Sequence, residues 1–182
     1  MSAPDHFLPL ADETVVEHVV VDADASRAYE AIGAADVSSD RLVGLWSGLE
    51  DAWSKRAGRQ PSPKTLDGLL AADVGPVELA AEPGIRWVIG IAGRYHPFER
   101  RVAHLRPDEF DGFQEPGSLK AAVAFTLTPQ ADGRTLLGCE VRVRATDDDT
   151  RSALGMTWFA AGLGVRLAAR RLLEAIRIEA ER

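Results

Sequence analysis

Histidine and cysteine are the residue types of this sequence best suited to metal binding or nucleophilic catalysis, and they are few and scattered. The histidines contain no pair at the i,i+4 spacing that would place two imidazoles on one face of a helix; they are His6, His18, His96 and His104. Cys139 has no second cysteine with which to form a disulfide bond. We therefore expect neither a metal site nor a bound cofactor.

Phosphate-binding and hydrolase motifs do not occur in the sequence. It contains no P-loop, no dinucleotide-binding glycine turn and no nucleophile elbow. The acidic run 147–149 lacks the alternating ligands, the glycine and the distal glutamate of a calcium loop, and negative charge at this point is typical of a helix start. Nucleotide binding, calcium binding and triad hydrolysis are therefore disfavoured.

Acid–base chemistry inside a pocket stays open, because it needs only a titratable group on an inward face. If the strand over 85–95 is unbroken, alternation points Tyr95 inward, where its hydroxyl could bind a ligand carbonyl, donate a proton or equally satisfy a backbone group. His18 lies in a strand with mixed faces, so its direction is undecided. Cys139 falls on an inward register, where a lone cysteine usually acts as a small hydrophobe. Tyr95 and His18 are thus the catalytic candidates.

Alternating apolar residues predict the sheet that would position these groups. Strands are expected over residues 13–22, 77–82, 85–95, 98–105, 119–128 and 135–145. A helix capped by Asp24 follows the first strand, and a second is expected after Ser38, with Leu42, Leu45, Trp46, Leu49 and Trp53 at helical spacing. The period of two favours an antiparallel sheet with one apolar and one wet face. Residues 1–12 are interpreted as a flexible lead-in and residues 13–182 as a single domain.

A long C-terminal helix is predicted from about Asp147 to Glu181. Its apolar stripe consists of Leu154, Trp158, Ala161, Val165, Ala168, Leu172 and Ile176. Met156, Phe159 and Leu163 lie on the opposite side, where a loop, a pocket entrance or a second subunit would have to cover them. A homodimer through this patch is one hypothesis.

This order of elements predicts an α+β fold in which a curved antiparallel sheet wraps around the long helix, with two short helices after the first strand. Small residues along the long helix would keep a space open between helix and sheet, although tight packing accounts for them equally well. The residues expected to line this space are Trp87, Ile89, Ile91, Tyr95, Val123, Phe125, Cys139, Val141, Trp158, Ala161, Gly162 and Val165.

Three stretches of the sequence carry a family resemblance. VDADASRAYEAI (21–32) resembles the opening of the helix-grip superfamily, also called SRPBCC, START-like or Bet v 1-like, although Asp24 stands where that opening usually has proline. FDGFQEPGSLKAAVAF with GCEVRVRATD, and the helix TWFAAGLGVRLAARRLLEAI, look like the tail of bacterial members related to polyketide cyclases and dehydrases. The resemblance implies the helix-grip fold over nearly the whole chain. It also implies a small apolar or amphipathic ligand between sheet and helix, as is characteristic of the superfamily. Some members are cyclases or aromatases, and others are only carriers.

The net charge and the distribution of charged residues disfavour some kinds of binding partner. A formal net charge of −7 and a pI near 5.1 disfavour binding to a nucleic-acid backbone. The longest uncharged stretch has 14 residues, whereas a membrane-spanning helix needs about 20. The chain begins without the basic and apolar regions of a secretory signal, so we expect a cytoplasmic protein.

Binding or carriage of a small hydrophobic molecule is the function that these patterns favour, because few inward groups titrate near neutrality. Two alternatives stay open. One is a cyclase, aromatase or dehydratase that acts on a polyketide-like substrate. The other is an interaction domain whose pocket is filled by its own side chains. The apolar pattern does not encode the identity of the ligand.

Overall fold

Antiparallel strand pairing organises the chain. The structure is a computed structural model that describes residues 7–36, 65–71, 75–96 and 99–182. Its strands are β1 (Glu13–Val21), β2 (Val77–Glu82), β3 (Arg86–His96), β4 (Glu99–Val102), β5 (Ser118–Pro129) and β6 (Thr135–Ala145). Its helices are α1 (Ala25–Ala34), α2 (Leu66–Ala71), α3 (Pro107–Phe110) and α4 (Asp148–Ala180). The helix expected over Leu42–Trp53 lies outside the described residues.

The strands form one sheet in the order β1-β6-β5-β3-β2, and β4 pairs with β3. All of these pairings are antiparallel. The tight turn between β5 and β6 contains Gly133 with a φ of 84°, a left-handed conformation that costs glycine little. The sheet and the long helix α4 that follows it confirm the expected α+β, helix-grip arrangement.

One face of the sheet packs against α1 and α4, and we call it the helix face. Its core combines residues from three sources, namely Trp87, Phe125, Leu137 and Cys139 from the sheet, Ala28, Ala31 and Ile32 from α1, and Ala169, Leu173, Ile176 and Ala180 from α4. Burial of this apolar surface is the main favourable contribution to folding. The helix face is therefore the principal core of the fold.

Ion pairs and hydrogen bonds hold the second half of α4 in place on the helix face. Glu17 of β1 accepts a hydrogen bond of 2.8 Å from Nε of Arg170, and its other carboxylate oxygen lies 3.1 Å from Nε of Arg166. Nε of Arg27 donates to the carbonyl oxygen of Ala180 at 2.7 Å, which satisfies one of the carbonyls left open at a helix end.

The buried line of α4 differs in part from the predicted stripe. Leu154 and Ile176 are buried as expected, but in the second half Ala169 and Leu173 are buried more deeply than Ala168 and Leu172. The reason is that α4 contacts α1 as well as β1 and β6, so its buried face turns toward α1. Helical spacing alone does not reveal the direction of a second packing partner.

The outer face of the sheet is not uniformly wet, which corrects the expectation of one apolar and one solvated face. A second cluster of buried residues covers part of it, formed by Leu8, Val77, Ala92, Phe110 and Ala122. The ring of Phe110 lies against Gly90, where a side chain on that residue would collide with it. The segment around Leu8 is packed in this cluster, so the expected flexible lead-in is wrong for Leu8.

Lys120 is buried under α3 on this outer face, with 3% of its surface exposed. Its Nζ donates a hydrogen bond of 2.9 Å to the carbonyl oxygen of Asp111 and lies 4.9 Å from the ring centroid of Phe110. Burial is the main cause that lowers the pKa of this amine. The charge is thus met by a carbonyl dipole and an aromatic ring.

Two isoleucines on α4 allow a matched test of this packing. Ile176 is 0% exposed in the core, whereas Ile178 is 49% exposed on the same helix. We expect Ile176→Ala to lower the free energy of unfolding by about 2–5 kcal/mol, because it removes buried methyl groups and leaves a cavity. Ile178→Ala should change it by less than about 1 kcal/mol. Urea unfolding monitored by circular dichroism measures both, and equal losses would contradict the packing.

Candidate functional site

Strand register brings the predicted lining residues of β3, β5 and β6 together on the helix face. They form three cross-strand rows: a deep row of Cys139, Phe125 and Trp87, a middle row of Val141, Val123 and Ile89, and an open row of Val143, Ala121 and Ile91. Directly opposed side chains on one face of an antiparallel pair are in contact range. Alternation in the sequence therefore identified a real apolar surface.

Exposure differs between these rows. The deep row is fully buried, with no residue more than 5% exposed. In the middle and open rows Val123, Val141, Ala121 and Ile91 are only partly buried. The deep row packs against α1 and the second half of α4, and the rows beyond it approach the end of the sheet at which α4 begins. The accessible apolar surface thus lies beside the first half of the helix.

The first half of α4 begins at this end of the sheet, because β6 ends at Ala145 and α4 starts at Asp148. Trp158 and Val165 are partly buried there, and α4 contacts β6, the strand that carries Val141. We call the surface formed by Ile91, Ala121, Val123 and Val141, with its border of Trp158 and Val165, the apolar groove. Within the part of the chain that the structure describes, the apolar groove is the candidate ligand site.

Two of the predicted helix positions do not serve the expected purpose. Ala161 is exposed. At Gly162 a side chain would come within 2.9 Å of Nε1 of Trp158, so the glycine makes room for the indole of its own helix. The small residue therefore accommodates a tryptophan and does not by itself hold a space open for a ligand.

A polar group at the edge of the deep row was missed by the sequence reasoning. Nε1 of Trp87 donates a hydrogen bond of 2.8 Å to Glu78, and the Tyr29 ring lies 6.1 Å from the Trp87 ring, tilted by 35°. Burial, followed by the charges of Glu78 and Asp67, raises the pKa of Tyr29, so its hydroxyl keeps its proton. The available signal was the need of a buried indole N–H for an acceptor.

Of the two catalytic candidates, the structure describes the side chain of His18 and places it away from the groove. His18 is exposed and lies on the outer face, where its ring is next to Gly138. The direction that the sequence left undecided for His18 is outward, because the register that places Glu17 on the helix face turns His18 away from it. Tyr95 belongs to β3 and pairs with Arg100, but its side chain lies outside the described part of the chain.

Cys139 lies in the deep row and is 1% exposed. Burial, with smaller contributions from the charges of Glu17 and Glu140, raises the pKa of its thiol to about 12. The nucleophilic form of cysteine is the thiolate. Cys139 is therefore a core residue with almost no thiolate near neutral pH.

Thiol labelling tests this assignment of Cys139. We expect Ellman's reagent to react with the native protein at least about 100-fold more slowly than with protein unfolded in urea, because the thiol is both buried and protonated. Ala131→Cys provides the control, since Ala131 lies in the exposed turn after β5 and should label rapidly in the native state. Rapid native labelling of Cys139 would show that the deep row is open.

A surface depression of about 420 Å³ lies at the start of α4, lined by Pro116, Gly117 and residues 147–150. Asp147 accounts for its polar contacts, because its carboxylate accepts hydrogen bonds from the N–H groups of Gly117 at 2.6 Å and Thr150 at 2.8 Å. These hydrogen bonds lower the pKa of Asp147 to about 2, and the bond from Gly117 contributes most. This is a helix cap that also ties α4 to the segment before β5.

Asp147 should make the stability of the protein depend on acidic pH. A carboxyl with a lowered pKa in the folded state contributes stability above its unfolded pKa of about 4, and this contribution is lost as the pH falls toward about 2. Asp147→Asn keeps a neutral cap, so we expect the wild type to lose its advantage over this variant across that window. Thermal unfolding at several pH values measures the difference.

Asp149→Asn is the control for the charge change, since Asp149 is exposed in the first turn of α4. A pH-independent difference between the wild type and Asp147→Asn would show that the two N–H contacts of Asp147 do not favour its charged form.

The described residues contain no group of three or more histidine, cysteine, aspartate or glutamate side chains that could hold a metal ion. None of the helices in the described ranges combines the length and the apolar character that crossing a membrane requires.

Comparison with known proteins gives matches among solved structures. No protein-family model and no curated protein matches the chain. Protein MLL2253 from Mesorhizobium loti is 18% identical, over 92% of this chain and 96% of that one, with a TM-score of 0.41. The Zhui aromatase/cyclase from Streptomyces sp. R1128 is 15% identical, over 93% and 94%, with a TM-score of 0.32.

A third similar structure is Ara h 8.0201, which is 13% identical over 92% of this chain and 97% of that one, with a TM-score of 0.35. Identities and scores of this size carry no argument about what the chain binds or does. The helix-grip assignment depends on the strand order and the long helix of the chain itself.

Proposed function

We propose that this protein binds or carries a small hydrophobic or amphipathic molecule in the apolar groove. The observation that supports the proposal is the partial exposure of four apolar side chains of the middle and open rows, Ile91, Ala121, Val123 and Val141, beside a deep row that is fully packed. Concave or grooved apolar surfaces with few polar groups are typical of small-molecule sites. The packed deep row would limit how far such a molecule reaches toward α1.

Carriage is a better proposal than catalysis on the described residues. His18 is on the outer face, and Cys139 is buried with a strongly raised pKa. Tyr29 lies beside Trp87, on the α1 side of the packed deep row and away from the groove. A described lining of apolar side chains supports binding more directly than turnover, which needs an acid or a base. A cytoplasmic location belongs to the same proposal.

An interaction domain with a filled pocket is the second candidate, and a specific observation favours it. The deep row and its partners Leu173 and Ile176 are fully buried by the protein's own side chains, with nothing left for a ligand there. The outward side of α4 at the same time exposes Phe159. Under this alternative the groove would bind no small molecule.

A substitution that fills the groove separates these candidates. Ala121 lies in the open row and is partly buried, so we expect Ala121→Phe to occupy the groove and weaken binding of the neutral probe N-phenyl-1-naphthylamine at least about ten-fold. Ala131→Phe adds the same ring in an exposed turn and should bind the probe like the wild type. Fluorescence titration measures the affinity of each protein.

Circular dichroism and urea unfolding verify that both variants fold. Native mass spectrometry of protein purified without added ligand should also reveal a co-purified molecule that Ala121→Phe reduces. Saturable probe binding that is the same in all three proteins would move the site elsewhere. The absence of any saturable binding would favour the interaction domain.

A further inference from the structure

The outward side of α4 carries a line of exposed apolar side chains. Met156, Phe159, Leu163 and Leu167 are 81%, 86%, 60% and 45% exposed among the described residues. Their spacing of three and four residues places them on one side of the helix, away from the sheet. We call them the outward stripe. An apolar surface of this kind on a folded domain marks an interaction site.

Charges of opposite sign stand at the two ends of the outward stripe. Asp149 precedes it and Arg171 follows it. Their neighbours Asp148 and Arg170 form ion pairs within the chain, with Arg151 and Glu17. Asp149 lies eleven residues before Ala160 and Arg171 lies eleven residues after it, which corresponds to about 16 Å along the helix in each direction. The stripe is therefore complementary to a reversed copy of itself centred near Ala160.

We propose that a second copy of this chain packs on the outward stripe, with the two α4 helices antiparallel about a two-fold axis near Ala160. Met156 then lies against the partner's Leu163, and the Phe159 rings of the two subunits meet beside the axis. The acidic start of each stripe lies near the basic end of the other. The same patch serves both subunits, as a closed two-fold dimer requires.

Two features favour a second copy over an unrelated partner. A peptide or another protein would not require opposite charges at equal distances from the centre of the stripe. A parallel arrangement of two copies would place Asp149 beside the partner's Asp149 and Arg171 beside the partner's Arg171, which repel. The proposal goes beyond ligand binding and does not depend on it, because the apolar groove lies on the other side of α4.

Sedimentation velocity over a range of protein concentrations tests the dimer at low salt. We expect a concentration-dependent dimer for the wild type and at least about a 100-fold higher dissociation constant for Phe159→Asp, which places charge at the centre of the interface. Ile85→Asp is the matched control. Ile85 is 59% exposed just before β3, so this variant should dimerise like the wild type.

Charge reversal tests the antiparallel register. Asp149→Arg and Arg171→Asp should each raise the dissociation constant about ten-fold, because each change occurs twice in a two-fold dimer. The double variant should return to within about three-fold of the wild type, since the reversed charges face each other again. Circular dichroism and urea unfolding of every variant show whether it folds.

Three results would overturn the proposal, and none of them concerns the groove. The wild type could remain a monomer at all concentrations, Phe159→Asp could dimerise normally, or the double variant could dimerise no better than the single variants. A monomeric wild type that Phe159→Asp destabilises would show that the chain itself covers the stripe. Probe binding measured with Ala121→Phe is independent of each of these outcomes.

Discussion

Burial of the second half of α4 against the deep row is the interaction on which the rest of the structure depends. Leu173 and Ile176 lie in one core with Phe125 and with residues of α1. An α-helix is stiff over its length, so fixing one half determines the position of the other. At the other end, the capping contact between Asp147 and Gly117 ties the start of α4 to the segment before β5. The helix is therefore held at two points, and its middle lies between them.

This arrangement gives the helix two different environments along one element. The second half completes a dry core, whereas the first half begins at the end of the sheet where apolar side chains stay partly accessible. The difference does not come from a lack of apolar residues in the first half, since residues 148–164 contain eight of them and residues 165–180 contain ten. It comes from α1, which packs against α4 and fills one end of the helix face.

Strict alternation made the sheet predictable from the sequence. β6 was expected over residues 135–145 and has those bounds, and the register places Cys139, Phe125 and Trp87 side by side as their inward positions implied. A period of two carries this information because each side chain has one of only two directions. The order of the elements, with one long helix after the strands, predicted that this helix packs on the apolar face of the sheet.

Contacts between segments far apart in the sequence could not be predicted in the same way. Leu8 and Phe110 cover the outer face, yet each lies in a stretch too short to show a helical or strand period. The bond between Trp87 and Glu78 depends on an irregularity in β2 that shifts its register beside β3. The turn of α4 toward α1 also depends on a partner that the stripe itself does not specify.

Glu17 affects the exposed edge of the sheet at β1. β1 is the last strand on its side of the described sheet and leaves one row of backbone groups without a neighbouring strand. A free strand edge of this kind is a template for amyloid-like growth, and inward-pointing charge is one way in which natural proteins prevent it. Glu17 places a carboxylate on the inner side of β1, and Arg166 and Arg170 hold it there. An incoming strand would have to desolvate this cluster, so the edge is protected from aggregation by the same contact that secures the helix.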